Sequence, residues 1–459
     1  MGIEPTWPAW KAGALPLSYT RDAGHRNREG PAVNGASPAR LQFAPVRPDC
    51  PHSPAATIRR PGSEQIDTKN FMRTTFVAPL TAETAKEIQR KLNPGLAFAE
   101  TVKPPKGDTL LVGLDLGTNA SCLKAACPGA AELSVNDIVP TVVGYAREGI
   151  VENLLPDNAK VLYGQLAVKN RLYLRMVSPL VNGVVDDMAA ARDFAAHLRS
   201  LINAPAGMEL RAVVGVPASA DRSAREHLCQ AVAGMFHKVI LIPEPFLAAL
   251  GFRDESRLAD PAYLDPVRNS LFVDIGAGTT DVCLVQGYFP TADDQISVAF
   301  AGDKVDAHLQ EAIRRAYPDV NLSLARVRDL KEHYSFVGKY ESPINISVVI
   351  GGKARKLDLG EAVGTACQQL LHHVLECVKT AISRASTDTV AELLQNIILT
   401  GGGSQIRNID TELQRLLAEE GYEKPRVQTV GEGYKEYVAK GALVAARQAK
   451  DGQWQTLAD

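Results

Sequence analysis

The sequence predicts an α/β protein built from two similar α/β halves that face each other across a cleft. The first observation is an internal repeat, in which LLVGLDLGTNASCLKAA at 110–126 parallels SLFVDIGAGTTDVCLVQ at 270–286. The second is the alternation, from residue 108 onward, of short β-branched apolar runs with helical stretches. That alternation is typical of sheets covered by helices. Two copies of one hairpin pattern this far apart indicate a duplicated fold.

The individual elements follow from the hydrophobic periodicity of the chain. Apolar runs predict strands at 109–116, 121–126, 211–216, 238–242, 270–275, 280–286 and 396–400. Amphipathic stretches predict helices at 187–202, 221–236, 245–251, 303–316, 323–336, 360–384, 405–419 and 434–448.

The composition excludes several function classes. The 459 residues carry a formal net charge of -2, which argues against a generally basic nucleic-acid binder. No stretch approaches the roughly 18 uninterrupted apolar residues of a membrane span, and no basic start joins an apolar run as in a secretory signal. The seven cysteines form no CxxC pair, so we expect buried thiols in a reducing, cytoplasmic compartment.

Residues 1–107 differ from the rest of the chain. Residues 1–66 are rich in Pro, Gly, Ala and Arg and show no structural period, so we predict a largely disordered extension. A start site placed too far upstream is the alternative, with Met72 as the true start. A short amphipathic helix is predicted at 80–92, before a Pro-Pro-Lys-Gly linker.

The first hairpin carries the chemistry of an anion site. Asp115 ends its first strand, and the tip Gly117-Thr118-Asn119 lets backbone N–H groups approach an anion closely. A carboxylate beside a phosphate is repelled unless a cation lies between them. Magnesium is usually held by one or two carboxylates together with substrate phosphates.

The second hairpin repeats this arrangement. Asp274 matches Asp115, so the two carboxylates are predicted to flank one magnesium–phosphate unit, one from each half. We expect the N–H and hydroxyl groups of this tip to cradle terminal phosphates; they belong to Gly276, Gly278, Thr279 and Thr280. Either hairpin alone could be a purely structural Gly-rich turn.

A third motif is LQNIILTGGGSQIRNI at 394–409. An apolar strand leads into Gly401, Gly402 and Gly403, and a helix is predicted to open near Ser404. Glycine lets backbone lie flat against a base or phosphate, and a helix N-terminus favours negative charge. An ordinary strand-to-helix turn is the alternative for this motif taken alone.

In this order and spacing, the three motifs resemble the two phosphate motifs and the adenosine motif of the actin superfamily. Segments 213–251 and 430–446 resemble its two connecting regions, so the resemblance covers 108–448. In the second segment, Ala439 and Gly441 are expected to allow close helix packing. It implies an actin-like ATPase fold, with two duplicated, ribonuclease H-like lobes around a cleft that binds ATP and Mg²⁺. Stretches such as 178–187 and 330–338 resemble the bacterial, MreB-like filament formers, most of all the magnetosome actin-like proteins.

The resemblance also implies domain boundaries. Lobe I is expected to span 108–269, with a small subdomain at about 132–176. Lobe II is expected to span 270–429, with a subdomain at about 299–384, and 430–459 to return to lobe I.

Single residues receive roles partly from this resemblance. Glu244 lies between two prolines at a strand-to-helix junction, which suits a carboxylate that orients or deprotonates an attacking water; an ordinary helix N-terminal Glu is the alternative. Lys331 and Glu332 would contact ribose and adenine, although their pattern alone indicates a solvated helix face. By the same resemblance, Gly302 and Asp303 open a helix near the ribose, with a simple helix cap as the alternative.

Three functions remain open at this stage. The first is a cytoskeletal ATPase whose subunits add head to tail on ATP binding and separate on hydrolysis, organising magnetosomes or another cargo through adaptor proteins. The second is a nucleotide-switched scaffold that does not polymerise. The third is a small-molecule kinase of the same fold, for which the Pro-Glu-Pro context of Glu244 fits poorly.

Overall fold

The computed structural model describes residues 109–205, 207–339, 343–350 and 352–457, which belong to one compact unit. The predicted extension over 1–107 and its helix at 80–92 lie outside the described residues.

The first part of the chain is rich in strands. Its strands are β1 Thr109–Leu116, β2 Ala120–Ala126, β3 Val135–Pro140, β4 Val143–Ala146, β5 Val161–Tyr163, β6 Leu174–Val177, β7 Leu180–Val181, β8 Val184–Val185, β9 Glu209–Val216 and β10 Lys238–Pro243. Its helices are α1 Gly164–Lys169, α2 Met188–Leu201, α3 Arg222–Val232 and α4 Glu244–Phe252.

The second part carries the longer helices. Its strands are β11 Ser270–Ile275, β12 Thr280–Val285, β13 Gln295–Val298, β14 Asn345–Ile350, β15 Lys353–Asp358, β16 Ile397–Thr400, β17 Val427–Thr429 and β18 Gln455–Thr456. Its helices are α5 Gly302–Ala316, α6 Leu324–Tyr334, α7 Gly360–Arg384, α8 Val390–Leu394, α9 Ile409–Glu419 and α10 Tyr437–Gln448.

The two main sheets confirm the duplication that the repeat predicts. The first runs β18-β10-β9-β1-β2-β3 and the second β13-β12-β11-β16-β17. In each, the first strand of the repeat pairs antiparallel with its hairpin partner and parallel with a later strand: β1 with β2 and β9, and β11 with β12 and β16. The hairpin tips therefore occupy equivalent places in the two sheets.

Local chemistry explains where several helices begin. The side chains of Asp187 and Asp221 accept hydrogen bonds from N–H groups in the first turns of α2 and α3, and Ser323 does so for α6. Each oxygen satisfies a donor that has no partner within its helix. At α4 a proline on either side of Glu244 fixes the helix start instead.

Helices α4 and α10 contact each other at glycine residues. The apolar cluster around them includes residues of both main sheets, such as Val213 of the first and Phe272 of the second. A Cβ at Gly441 would lie 1.8 Å from the carbonyl oxygen of Leu247, and one at Gly251 would lie 2.0 Å from that of Tyr437. Glycine is therefore required at this crossing, which confirms that Gly441 allows close helix contact.

The structure also corrects the sequence-based elements. The helix expected from 405 begins at Ile409, because Gly402–Gln405 forms a single 3-10 turn and Asn408 has a left-handed backbone with φ of 65°. The helix expected from 434 begins at Tyr437, after a 3-10 turn over Glu432–Lys435. Strand β3, which falls within the small subdomain predicted at about 132–176, pairs with β2 in the first main sheet.

Candidate functional site

The two hairpin tips meet at one cavity of about 300 Å³. Most predicted site residues line it: Asp115, Gly117, Thr118, Asn119, Glu244, Asp274, Gly276, Gly278, Thr279, Gly302, Asp303, Lys331, Glu332, Gly401, Gly402 and Gly403. Residues separated by almost the whole described chain thus line one cavity.

The first tip is held in place by Thr141. Its backbone N–H donates to the carbonyl oxygen of Asn119 at 3.0 Å, and its hydroxyl donates to that of Gly117 at 2.7 Å. Thr118 accepts a 2.9 Å hydrogen bond from the N–H of Gly183, in the turn between β7 and β8. These bonds fix the loop that the sequence assigns to anion binding.

The tip of the second hairpin lies close to the turn between β7 and β8. A Cβ at Gly278 would lie 2.5 Å from the Cα of Asn182, so this glycine is required by close approach. Asp281 accepts hydrogen bonds from the hydroxyl of Thr279 at 2.7 Å and from the N–H of Ala218 at 3.1 Å. The buried Asp281 carboxylate therefore ties the second hairpin to the loop that follows β9.

Asp115, Asp274 and Glu244 concentrate negative charge in the cavity. Burial raises the pKa of Asp115 to about 7, and burial with the carboxylates of Asp115 and Asp281 raises the pKa of Asp274 to about 8. Burial and the neighbouring carboxylates also raise the pKa of Glu244 well above its ordinary value. Carboxyl groups that cost this much to ionise favour a cation among them.

The three glycines at 401–403 fit tightly behind Asp274. Gly401 has a φ of 75°, and its Cβ would lie 2.3 Å from the Asp274 side-chain oxygen. A Cβ at Gly403 would lie 2.1 Å from a methyl carbon of Ile275. Glycine at these positions lets the loop after β16 pass close to the end of β11, and it leaves flat backbone on the cavity wall.

Thr280 and Ser404 do not line the cavity, although the sequence assigns them to nucleotide binding. Both are buried, and their hydroxyls donate to the backbone carbonyls of Phe300 at 2.8 Å and Gly401 at 2.7 Å. Thr280 is already the first residue of β12, and Ser404 lies inside the 3-10 turn Gly402–Gln405, so the hydroxyl of each side chain bonds within the protein.

The start of α5 is anchored to the second hairpin. The N–H groups of Gly302 and Asp303 donate to the carbonyl oxygens of Gly276 and Ala277, at 3.1 and 2.8 Å. These donors are therefore already used within the protein. At the cavity wall, Gly302 contributes backbone without a side chain, and Asp303 contributes a carboxylate.

Lys331 is held by contacts that the sequence does not reveal. Its Nζ lies 2.8 Å from Asp306 Oδ1 and donates to the carbonyl oxygen of Gly302 at 2.9 Å. Asp306 is completely buried, yet it was not among the predicted site residues. The neighbouring Glu332 is exposed and lines the cavity.

Sequence reasoning also missed other cavity residues, including Arg328, Gln405, Tyr434 and Lys435. Lys435 Nζ lies 5.6 Å from the ring centre of Tyr434, whose edge would lie 3.9 Å from a Cβ at Gly402. Tyr434 and Lys435 belong to segment 430–446, and its resemblance to the second connecting region was the one signal that could have identified them. That segment was assigned a role in helix contact only.

Lys124 on β2 has a structural role beside the site. The side chain is buried, and its Nζ lies 2.5 Å from Asn136 Oδ1 and 2.6 Å from Glu436 Oε2. This ion pair joins β2 to the residue that precedes α10. It fixes the second connecting segment beside the first hairpin.

The residues fit a magnesium–nucleotide unit. The described residues contain no group of three or more His, Cys, Asp and Glu side chains arranged to hold a metal alone. Magnesium commonly takes one or two carboxylates and completes its shell with phosphates and water. Asp115 and Asp274 could supply such carboxylates, and the glycines of both tips leave room for phosphates.

The chain is similar to several known proteins. The MreB/Mbl protein family matches residues 110–446. The actin-like protein MamK of Paramagnetospirillum magneticum (strain ATCC 700264 / AMB-1) is 29% identical over 362 residues, which is 76% of this chain and 96% of that protein.

Two solved structures are also similar. A MamK double helical filament is 29% identical, with a TM-score of 0.67, and the match covers 74% of this chain and 100% of that chain. A non-polymerising MamK mutant bound to AMPPNP is 29% identical, with a TM-score of 0.54, and the match covers 74% and 98%. Within the described residues, no helix is long and apolar enough to cross a membrane.

Proposed function

Because the chain belongs to the MreB/Mbl family of actin-like proteins, we propose that it is a bacterial actin-like ATPase that polymerises on ATP binding and disassembles on hydrolysis. The observation that carries this proposal is the meeting of the two hairpin tips, with their matched Asp115 and Asp274, at one cavity. The MamK filament supports self-association of this chain into a filament, head to tail.

The nucleotide site is proposed as follows. ATP would bind with its phosphates between the tips at Gly117–Asn119 and Gly276–Thr279, and with its nucleoside beside Lys331, Glu332 and the 401–403 glycines. Magnesium would be held by Asp115 and Asp274 through water molecules of its own coordination shell. The bound ion would neutralise phosphate charge as it develops during hydrolysis.

Glu244 is proposed to orient the attacking water and to accept its proton at a carboxylate oxygen. The residue begins α4 directly after β10, and its flanking prolines limit the movement of the backbone. Its raised pKa makes the ionised carboxylate a stronger base than an exposed Glu. The remaining contribution is positioning and charge stabilisation by backbone donors.

The cellular role is proposed from the same relatives. We expect a cytoplasmic, cytoskeletal filament that organises magnetosomes or another intracellular cargo, with membrane- or organelle-associated adaptor proteins as further partners. The net charge of -2 gives no support to direct binding of nucleic acid.

Sedimentation of the full chain tests assembly. With ATP and Mg²⁺, we expect most of the protein to pellet at tens of micromolar, because nucleotide binding draws the two sides of the cavity together. With ADP, or with ATP and a chelator, the pellet should shrink severalfold. Absence of a pellet despite tight ATP binding would favour the nucleotide-switched scaffold, and phosphate transfer to a small alcohol would favour the kinase.

A further inference from the structure

Arg328 on α6 makes three side-chain contacts at once. Its Nε lies 2.8 Å from Asp306 Oδ2, and its Nη2 lies 2.7 Å from Asp303 Oδ1, so two arms are held by carboxylates of α5. The third arm, Nη1, donates to the side-chain oxygen of Asn119 at 3.2 Å. Asn119 lies on the tip of the first hairpin, so this bond joins the two sides of the cavity.

The arginine end of this bond is fixed before the bond forms. Asp306 is completely buried and also lies 2.8 Å from Lys331 Nζ. Withdrawing Arg328 would leave a buried carboxylate with one cation fewer, which is costly. The guanidinium is a planar fork, so two held arms also set the direction of the third.

The asparagine end is fixed as well. Thr141 holds the carbonyl oxygens of Gly117 and Asn119 on either side of the tip, while the Asn119 side chain itself remains exposed. A bond between two groups already in position loses little entropy when it forms. An exposed amide contributes little to the core, so the bond can be removed without disturbing the fold.

We infer that Arg328 is a positioning residue that latches the cavity, and that its bond to Asn119 must break whenever the cavity opens to release nucleotide. The inference rests on the proposed nucleotide-binding function. In it, the Arg328–Asn119 bond slows the release of bound nucleotide. Another contact across the cavity, from Ala218 N–H to Asp281, is buried beside the second hairpin. The Arg328–Asn119 bond, by contrast, is exposed.

Release of a fluorescent ADP analogue from the full chain with Mg²⁺, chased by excess unlabelled ADP, tests the latch. Asn119→Ala removes one hydrogen bond from a charged donor, so release should become roughly threefold to tenfold faster. Arg328→Lys keeps the positive charge beside Asp306 but loses the fork, so it should have a similar effect. The double variant should release no faster than the faster single variant, because both changes break the same bond.

Other results would overturn the inference. Unchanged release in Asn119→Ala would do so, whether or not Arg328→Lys folds normally. Equal acceleration by Asn119→Ala in the wild-type and Arg328→Lys backgrounds would show that the two residues act separately. Failure of the wild type to bind the analogue would overturn the proposed function as well, whereas normal binding with independent effects would overturn the latch alone.

Discussion

Replacing Glu244 by glutamine is expected to slow phosphate release from ATP by roughly 100-fold, because the amide orients water but cannot accept its proton. Filaments formed with ATP and Mg²⁺ should then persist, since hydrolysis is proposed to weaken subunit contacts. The measurement is phosphate release followed together with light scattering after addition of ATP.

Thermal unfolding shows whether Glu244→Gln slows hydrolysis by removing the proton acceptor or by destabilising the fold. Glu244 is buried near the carboxylates of Asp115, Asp274 and Asp281, all of which raise its pKa. A neutral side chain removes that repulsion, so the midpoint of unfolding should stay constant or rise. Glu255→Gln, at an exposed Glu in the 3-10 turn after α4, is the matched control and should hydrolyse ATP normally. Normal phosphate release from Glu244→Gln would remove Glu244 from the mechanism.

Replacing Gly441 by alanine is expected to be strongly destabilising. The new Cβ would lie 1.8 Å from the carbonyl oxygen of Leu247 and 2.9 Å from the N of Gly251, so backbone and not a flexible side chain must move. Forced overpacking of this kind costs about 3 kcal/mol. Helices α4 and α10 would separate between the sheets, and assembly should weaken as well.

A matched glycine elsewhere provides the control for this change. A Cβ at Gly452 meets no atom within 4 Å, so Gly452→Ala should unfold at nearly the wild-type denaturant concentration. Urea unfolding of the two variants side by side measures the difference. Equal midpoints would mean that the helix crossing is looser than the structure indicates.

The duplicated hairpins could be predicted because their information is local. Each is a short apolar run, an Asp, a glycine tip and a second apolar run, and the two runs pair as an antiparallel hairpin. The start of α4 could also be predicted, because each proline restricts the backbone conformation of the residue before it. The glycine contact between α4 and α10 followed from small residues in a resembling segment.

The missed residues depend on contacts between distant elements. Asp306 and Arg328 lie on two different helices, where charged residues ordinarily indicate a solvated face. Only the approach of α5 to α6 buries Asp306 and directs Arg328 toward Asn119. The inward turn of Thr280 and Ser404 depends on backbone carbonyls at Phe300 and Gly401, which no residue pattern identifies.

The central claim is that Asp115 and Asp274 together hold one magnesium–nucleotide unit, and calorimetric titration of the full chain with ATP tests it most directly. The wild type should bind ATP tightly with Mg²⁺ and far more weakly with a chelator. Asp274→Asn should weaken Mg²⁺-dependent binding by roughly 10-fold to 100-fold, whereas the exposed Asp388→Asn should leave it unchanged. Equally tight binding by the wild type without Mg²⁺, or by Asp274→Asn with it, would contradict the account.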